Sequence, residues 1–206
     1  RDVTGVQTCA LPILISTLGS YRLLHSHLTA KGKGNKSAIA AAIDSRFYNR
    51  GWIEHKFATS FVVDGHQIDS PTHSVDCFRG KVAVELEWNN KDPFFDRDLE
   101  NFKRLHADGA ISVGIIITRG SSLQSKMMEL VRRFASERNI VNFASLAAAG
   151  VEPTPKQRAH ISDRANRAKD PIDFAEAWTS NFVSNKFGAA TTHWEKLQAR
   201  VSRGVG

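Results

Sequence analysis

The run from Val82 to Trp88 constrains this chain most, because Val82, Val84, Leu86 and Trp88 alternate there with Ala83, Glu85 and Glu87. Strict period-two alternation over this length specifies a β-strand with an apolar face and a second face carrying both carboxylates. Asp76 lies on the segment before it, across a turn at Arg79-Gly80, close enough to approach the same edge. Three acids converging in this way repel one another unless a cation lies between them. Oxygen-only ligands suit Mg²⁺, which keeps several waters and needs few carboxylates. Spacing alone is equally explained by the solvent face of an amphipathic strand.

The flanking pattern predicts an α/β layered fold. Ser37 is the expected N-cap of a helix carrying Ile39, Ala42, Ile43 and Phe47, ended by Gly51. Phe57 and Phe61 to Val63 lead into Asp64-Gly65, a hairpin signal, and a further strand is expected from His73 to Phe78. After the central strand, residues 96–108 read as a helix with Leu99, Phe102 and Leu105 on its apolar stripe and Gly109 as its C-cap. Ile111 to Thr118 is a nearly continuous β-branched run, expected to be a strand buried on both faces. The turn from Arg119 to Ser122, with Ser122 a possible N-cap, leads to a helix over about 123–136. Ile140 to Phe143 reads as one more short strand, and helices are expected near 157–169, 172–187 and 193–201.

The chain has 206 residues, 41% of them hydrophobic, enough for one domain to bury a core without disulfides or structural metals. Cys9 and Cys77 lack metal-binding or redox spacing. No apolar run reaches the ~18 residues of a membrane span, and Leu11 to Leu18 lacks the basic flank of a signal peptide. A cytoplasmic, prokaryotic protein without a membrane partner is the expectation. The net charge of +7 favours polyanion partners, through Lys and Arg contacts to phosphates. KGKGNK, from Lys31 to Lys36, is expected to be a basic loop. The opening RDVTGVQTCALPI resembles a translated sequencing adapter, so residues 1–13 are set apart as a non-native segment and 14–206 are taken as one domain.

The order acid, strand turn, acid-x-acid resembles the PD-(D/E)XK nuclease superfamily. THSVDCFRGKVAVELEWNNKDPFFDRDLENF, followed by ISVGIIITRG, is similar to the BglII/BamHI-type group of type II restriction endonucleases. The resemblance extends from about Ala38 to the C-terminus and is densest from Thr72 to Gly120. It implies a three-layer α/β/α core with a central mixed sheet and C-terminal helical additions. It also implies that Asp76 and Glu85 ligate Mg²⁺, with the Leu86 carbonyl completing the shell. Glu87 takes a third catalytic position where many relatives carry Lys, which leaves the group that assists the water open; Lys81 and Lys91 could supply charge.

Further implied are double-stranded DNA as substrate, a homodimer, and functional pairing with a DNA methyltransferase. The helices at 96–108 and 123–136 are candidate interface elements. Asn89 and Asn90 follow the strand where relatives read bases, and an Asn amide can pair with adenine N6 and N7; a simple turn explains them as well. Arg119 and Ser121 are expected at phosphate or guanine, and Thr192 and His193, within GAATTHWEKL, at DNA or at a helix cap. His73 reads as structural or phosphate-facing, and Glu54 as exposed or an accessory acid. Relatives continue past this stretch, so the chain reads as truncated. A structure-specific repair or recombination nuclease and a DNA-binding relative without catalysis are the alternative readings.

Overall fold

A computed structural model describes residues 12–29, 36–70 and 74–204. His73, most of the 31–36 loop and the adapter-like residues before 12 lie outside them. In chain order the elements are α1 (residues 12–19), α2 (His25–Thr29), α3 (Ala38–Tyr48), β1 (Ile53–Lys56), β2 (Thr59–Val63), β3 (His66–Ser70), β4 (Ser74–Arg79), β5 (Val82–Glu87), α4 (Phe94–Ala107) and β6 (Val113–Thr118). Then follow α5 (Ser121–Glu137), α6 (Phe143–Ala148), α7 (Pro155–Ala165), α8 (Phe174–Phe187) and α9 (Trp194–Val201).

Among the described residues, four strands form a mixed sheet in the order β1-β4-β5-β6. The first two pairings are antiparallel, and β5 runs parallel to β6 from Val82↔Val113 to Glu87↔Thr118. A parallel pair needs a crossover, which α4 provides. Helix α4 covers one face of the sheet, where Phe102 and Leu105 pack with Val75, Ala83 and Ile111. The other face meets a larger core built from α3, α5 and α8, including Phe47, Val84, Leu86, Val131, Phe134 and Trp178. This is the three-layer α/β/α arrangement of a restriction-endonuclease-like fold, with helices α6, α7 and α9 added around it.

Local chemistry explains the boundaries. Ser37 caps α3 by accepting from the Ala40 amide. Asp64 and Gly65 both take positive φ, 50° and 80°, as the two-residue turn joining β2 to β3 requires. That hairpin stands apart from the main sheet and exposes Phe61, Val62, Val63 and Ile68. Gly114 serves a close approach: a Cβ there would fall 2.5 Å from the Phe102 ring. The bare backbone lets α4 settle directly onto β6.

Three expectations are corrected. β6 is half-exposed rather than buried on both faces, because it is the last strand of the described sheet. Residues 140–143 do not form a strand: Asn142 and Ser145 exchange side-chain-to-backbone hydrogen bonds in a capping box that starts α6. Ser122 is not the N-cap of α5; Gly120 is, and Ser121 and Ser122 lie in the first turn. The helices offered as interface elements spend their apolar faces within the subunit, α4 on the sheet and α5 against α8. No helix of the described residues is long and apolar enough to cross a membrane.

Candidate active site

All six residues of β5 are buried, so Glu85 and Glu87, at 5% and 2% exposure, are not a solvent face. Helix α4 lies over them. The β4–β5 ladder ends at Cys77↔Val84. Beyond that point the Leu86 amide, instead of finding a backbone partner on β4, donates to Asp76 Oδ2 at 3.0 Å. The Tyr48 hydroxyl donates to the Asp76 carbonyl at 3.1 Å, fixing the same residue from α3. Asp76 is thus held in the cleft that Glu85 also lines. Burial pushes the Glu85 carboxyl up to about 10, and the nearby charges of Asp76 and Asp98 add to the shift.

Glu87 turns to a different set of partners. Its Oε2 accepts from Asn90 Nδ2 at 2.8 Å, and Arg97 Nη2 approaches Oε1 at 3.5 Å. Asp98, 1% exposed on α4, receives Arg97 on Oδ1 at 2.7 Å, while its Oδ2 meets no N–H or O–H donor. Burial raises both the Glu87 and the Asp98 carboxyl above the usual carboxylate range, and the charge of Asp98 adds to the shift of Glu87. On the other side of Asp76, Lys36 Nζ lies 2.8 Å from Asp44 Oδ2, 3.3 Å from Asp76 Oδ1 and 3.9 Å from the exposed Glu54. Lys36, Asp76, Glu85 and Glu87 border a cleft of about 600 Å³ that also receives Ser74, Asn89, Phe94 and Arg97.

Among the described residues, no group of three or more His, Cys, Asp or Glu side chains is spaced to hold a metal ion. Two carboxylates suffice for Mg²⁺, which completes its shell with water and substrate phosphate. Asp76 and Glu85 fit that requirement: both are oxygen donors lining one cleft, and ionising both demands a compensating cation. Glu87 is engaged with Asp98 and Asn90 instead, and Leu86 contributes its amide to Asp76.

The residues expected at DNA divide into open and enclosed groups. Asn90 and Lys91 are exposed, and Lys91 is bridged to Thr191 through the backbone. Ser121 is exposed at the start of α5. Arg119, expected at phosphate or guanine, is fully buried. Its guanidinium donates to the Trp88 carbonyl, Asn89 Oδ1, Thr191 Oγ1 and Gln124 Oε1, and it lies near the rings of Trp88 and Phe187. With its fork turned inward it ties the Trp88–Asn89, Gln124 and Thr191 segments together. Asn89 is correspondingly committed to Arg119 through its oxygen. Thr192 is buried, with its amide on the Asn90 carbonyl, and His193 is nearly buried and paired with Glu195. The Thr192 amide thus braces the Asn90 backbone, and the His193 ring is turned to Glu195. Lys81 donates to the Gly109 carbonyl, away from the cleft.

Lys36, Asp44, Arg97 and Asp98 were not singled out from sequence. Asp98 had a signal: it falls on the buried stripe of α4 with Phe95, Phe102 and Leu105, where an acid is out of place unless it is paired.

A model of the family described as Restriction endonuclease BglII/BglIII matches residues 7–206, nearly the whole chain. The chain belongs to this BglII/BglIII restriction endonuclease family. Membership makes it a DNA-hydrolysing nuclease of a kind that generally uses divalent metal ions. No curated protein and no solved structure matches it significantly. In this BglII/BglIII-type nuclease, the cleft beside Asp76 and Glu85 brings acids, amides and basic side chains together.

Proposed function

We propose that this chain is a Mg²⁺-dependent type II restriction endonuclease that hydrolyses both strands of double-stranded DNA at a short specific site. The observation that carries this reading is the pinning of Asp76 by the Leu86 amide, which holds its carboxylate in the cleft that the buried Glu85 also lines. Asp76 and Glu85 would hold the ion, which when bound would supply Lewis acidity to the phosphate and make the attacking water more acidic. Glu87, on the same strand face, accepts the proton of the attacking water in its ionised form, which burial and the charge of Asp98 make harder to reach. Water oxygen bonds to phosphorus, the bond to the 3′ oxygen breaks, and that oxygen takes a proton from solvent, leaving 5′-phosphate and 3′-hydroxyl ends. Arg97, stacked over Phe94 at 4.5 Å and facing the cleft, offers charge to the phosphate where many relatives carry Lys after the second acid.

Asn90 and Lys91 are the open groups next to the acids. Asn90 donates through Nδ2 to Glu87, which keeps its amide oxygen directed and available to a base edge. Base reading by Asn90 and backbone contact by Lys91 are therefore part of the proposal, together with a two-fold homodimer on a palindromic site, one strand cut per subunit. A methyltransferase of the same specificity would protect the host DNA. The test is incubation of mixed-sequence plasmid with the protein and Mg²⁺, followed by mapping of the ends. Discrete fragments with one common terminal sequence are expected. Cutting only at nicks, flaps or junctions would favour a structure-specific nuclease instead, and binding without any cutting would favour a relative without catalysis.

A further inference from the structure

We propose that Lys36 is the built-in second cation of this active site, its ammonium standing between Asp44 and Asp76 so that each chain binds a single divalent ion. This rests on the reading of Asp76 and Glu85 as the ion's ligands. Asp76 shares its cleft with Glu85, and Lys36 lies 3.3 Å from its Oδ1. The same ammonium is 2.8 Å from Oδ2 of Asp44, a carboxylate enclosed in the core beside Cys77.

The placement is built in by the start of α3. Ser37 caps that helix, so the residue before it is fixed against the first turn, and Asp44 projects from the helix two turns further on. A carboxylate as enclosed as Asp44 stays charged only beside a cation. The Lys36 ammonium lies within ion-pair distance of both carboxylates, 2.8 Å from Asp44 and 3.3 Å from Asp76. A divalent ion bridging Asp44 and Asp76 would meet this ammonium within contact distance, where like charges in a partly enclosed cleft repel strongly. Lys36 therefore reserves that position, compensates Asp76, and leaves the Asp76–Glu85 side for the one metal. It also restores to the site a positive charge absent from position 87.

The experiment is titration of the full chain with Mn²⁺ alone, without DNA, reading bound ions per chain by electron paramagnetic resonance and calorimetry. Wild type is expected to bind one Mn²⁺. Lys36→Met is expected to bind two, and Lys36→Met with Asp44→Asn to return to one. Two ions on the wild type, which needs no variant to fold, would overturn the inference while leaving the metal site intact. A single ion on a folded Lys36→Met would overturn it as well. No ion on either protein would remove the Asp76–Glu85 metal site itself, and this inference with it.

Discussion

Replacing Glu85 by Gln is expected to stabilise the metal-free protein while abolishing cleavage. A carboxyl raised on folding, from 4.5 to about 10, favours the fold fully below its unfolded pKa; that contribution is lost progressively as pH rises toward its folded pKa. At a pH of about 8 the folded chain keeps the proton that the unfolded chain has released. The full shift would cost about 5 kcal/mol there, at roughly 1.4 kcal/mol per pH unit. Solvent in the open cleft reduces this to about 2 kcal/mol. Gln has the same shape and no charge to lose, so Glu85→Gln should melt roughly 4–8 °C above wild type in EDTA at that pH. The gap should close toward a pH of about 5, and added Mg²⁺ should raise the melting temperature of the wild type more than that of the variant. Paired thermal melts across pH, with and without Mg²⁺, measure all of this. A variant equal to or less stable than wild type at pH of about 8, with no pH trend in the difference, would refute the claim that Glu85 is a strained buried acid.

Other residues give independent tests. Arg119→Ala strands the Trp88 carbonyl, Asn89 and Thr191 without their donor, and should cost about 3 kcal/mol or more in urea melts. Arg119→Lys should recover only part of this, since one ammonium cannot span the fork. Asp98→Asn gives Glu87 an amide donor in place of a competing acid, so Glu87 ionises more readily and the acidic limb of the pH–rate profile should move to lower pH. Gly114→Ala forces the Phe102 ring away from β6 and should cost about 1–3 kcal/mol by thermal melt, with reduced cleavage as Asp98 shifts over Glu87.

Much of this architecture was legible because its signals are local. The alternation from Val82 to Trp88, the Asp-Gly turn at 64–65 and the Ser37 cap each specify their own element, and each forms as expected. The Asp76–Glu85 pairing was legible from a single short connection between two strands. What sequence could not reveal depends on groups that arrive from far along the chain. Arg119 after a strand reads as a ligand contact until Trp88, Asn89 and Thr191 are seen to converge on it. A β-branched run such as Val113 to Thr118 reads alike at the centre or at the edge of a sheet, because only its neighbours decide its burial. Ile140 to Phe143 was misread because Asn142 and Ser145 satisfy the backbone as a helix start, and that competes with any strand. Lys36 carries no pattern of its own, and its place beside two acids comes from the packing of α3 against β4.

The central claim, that Asp76 and Glu85 form the metal-dependent cutting site, is tested most directly by Asp76→Ala. Its DNA binding is measured in Ca²⁺ and its cleavage in Mg²⁺, beside wild type. Wild type is expected to cut at discrete sites only when Mg²⁺ is present, and the variant to bind the same DNA within about tenfold of wild type while cutting at least about a thousandfold more slowly. Cleavage by Asp76→Ala at a rate near that of wild type would place the chemistry elsewhere and contradict the account.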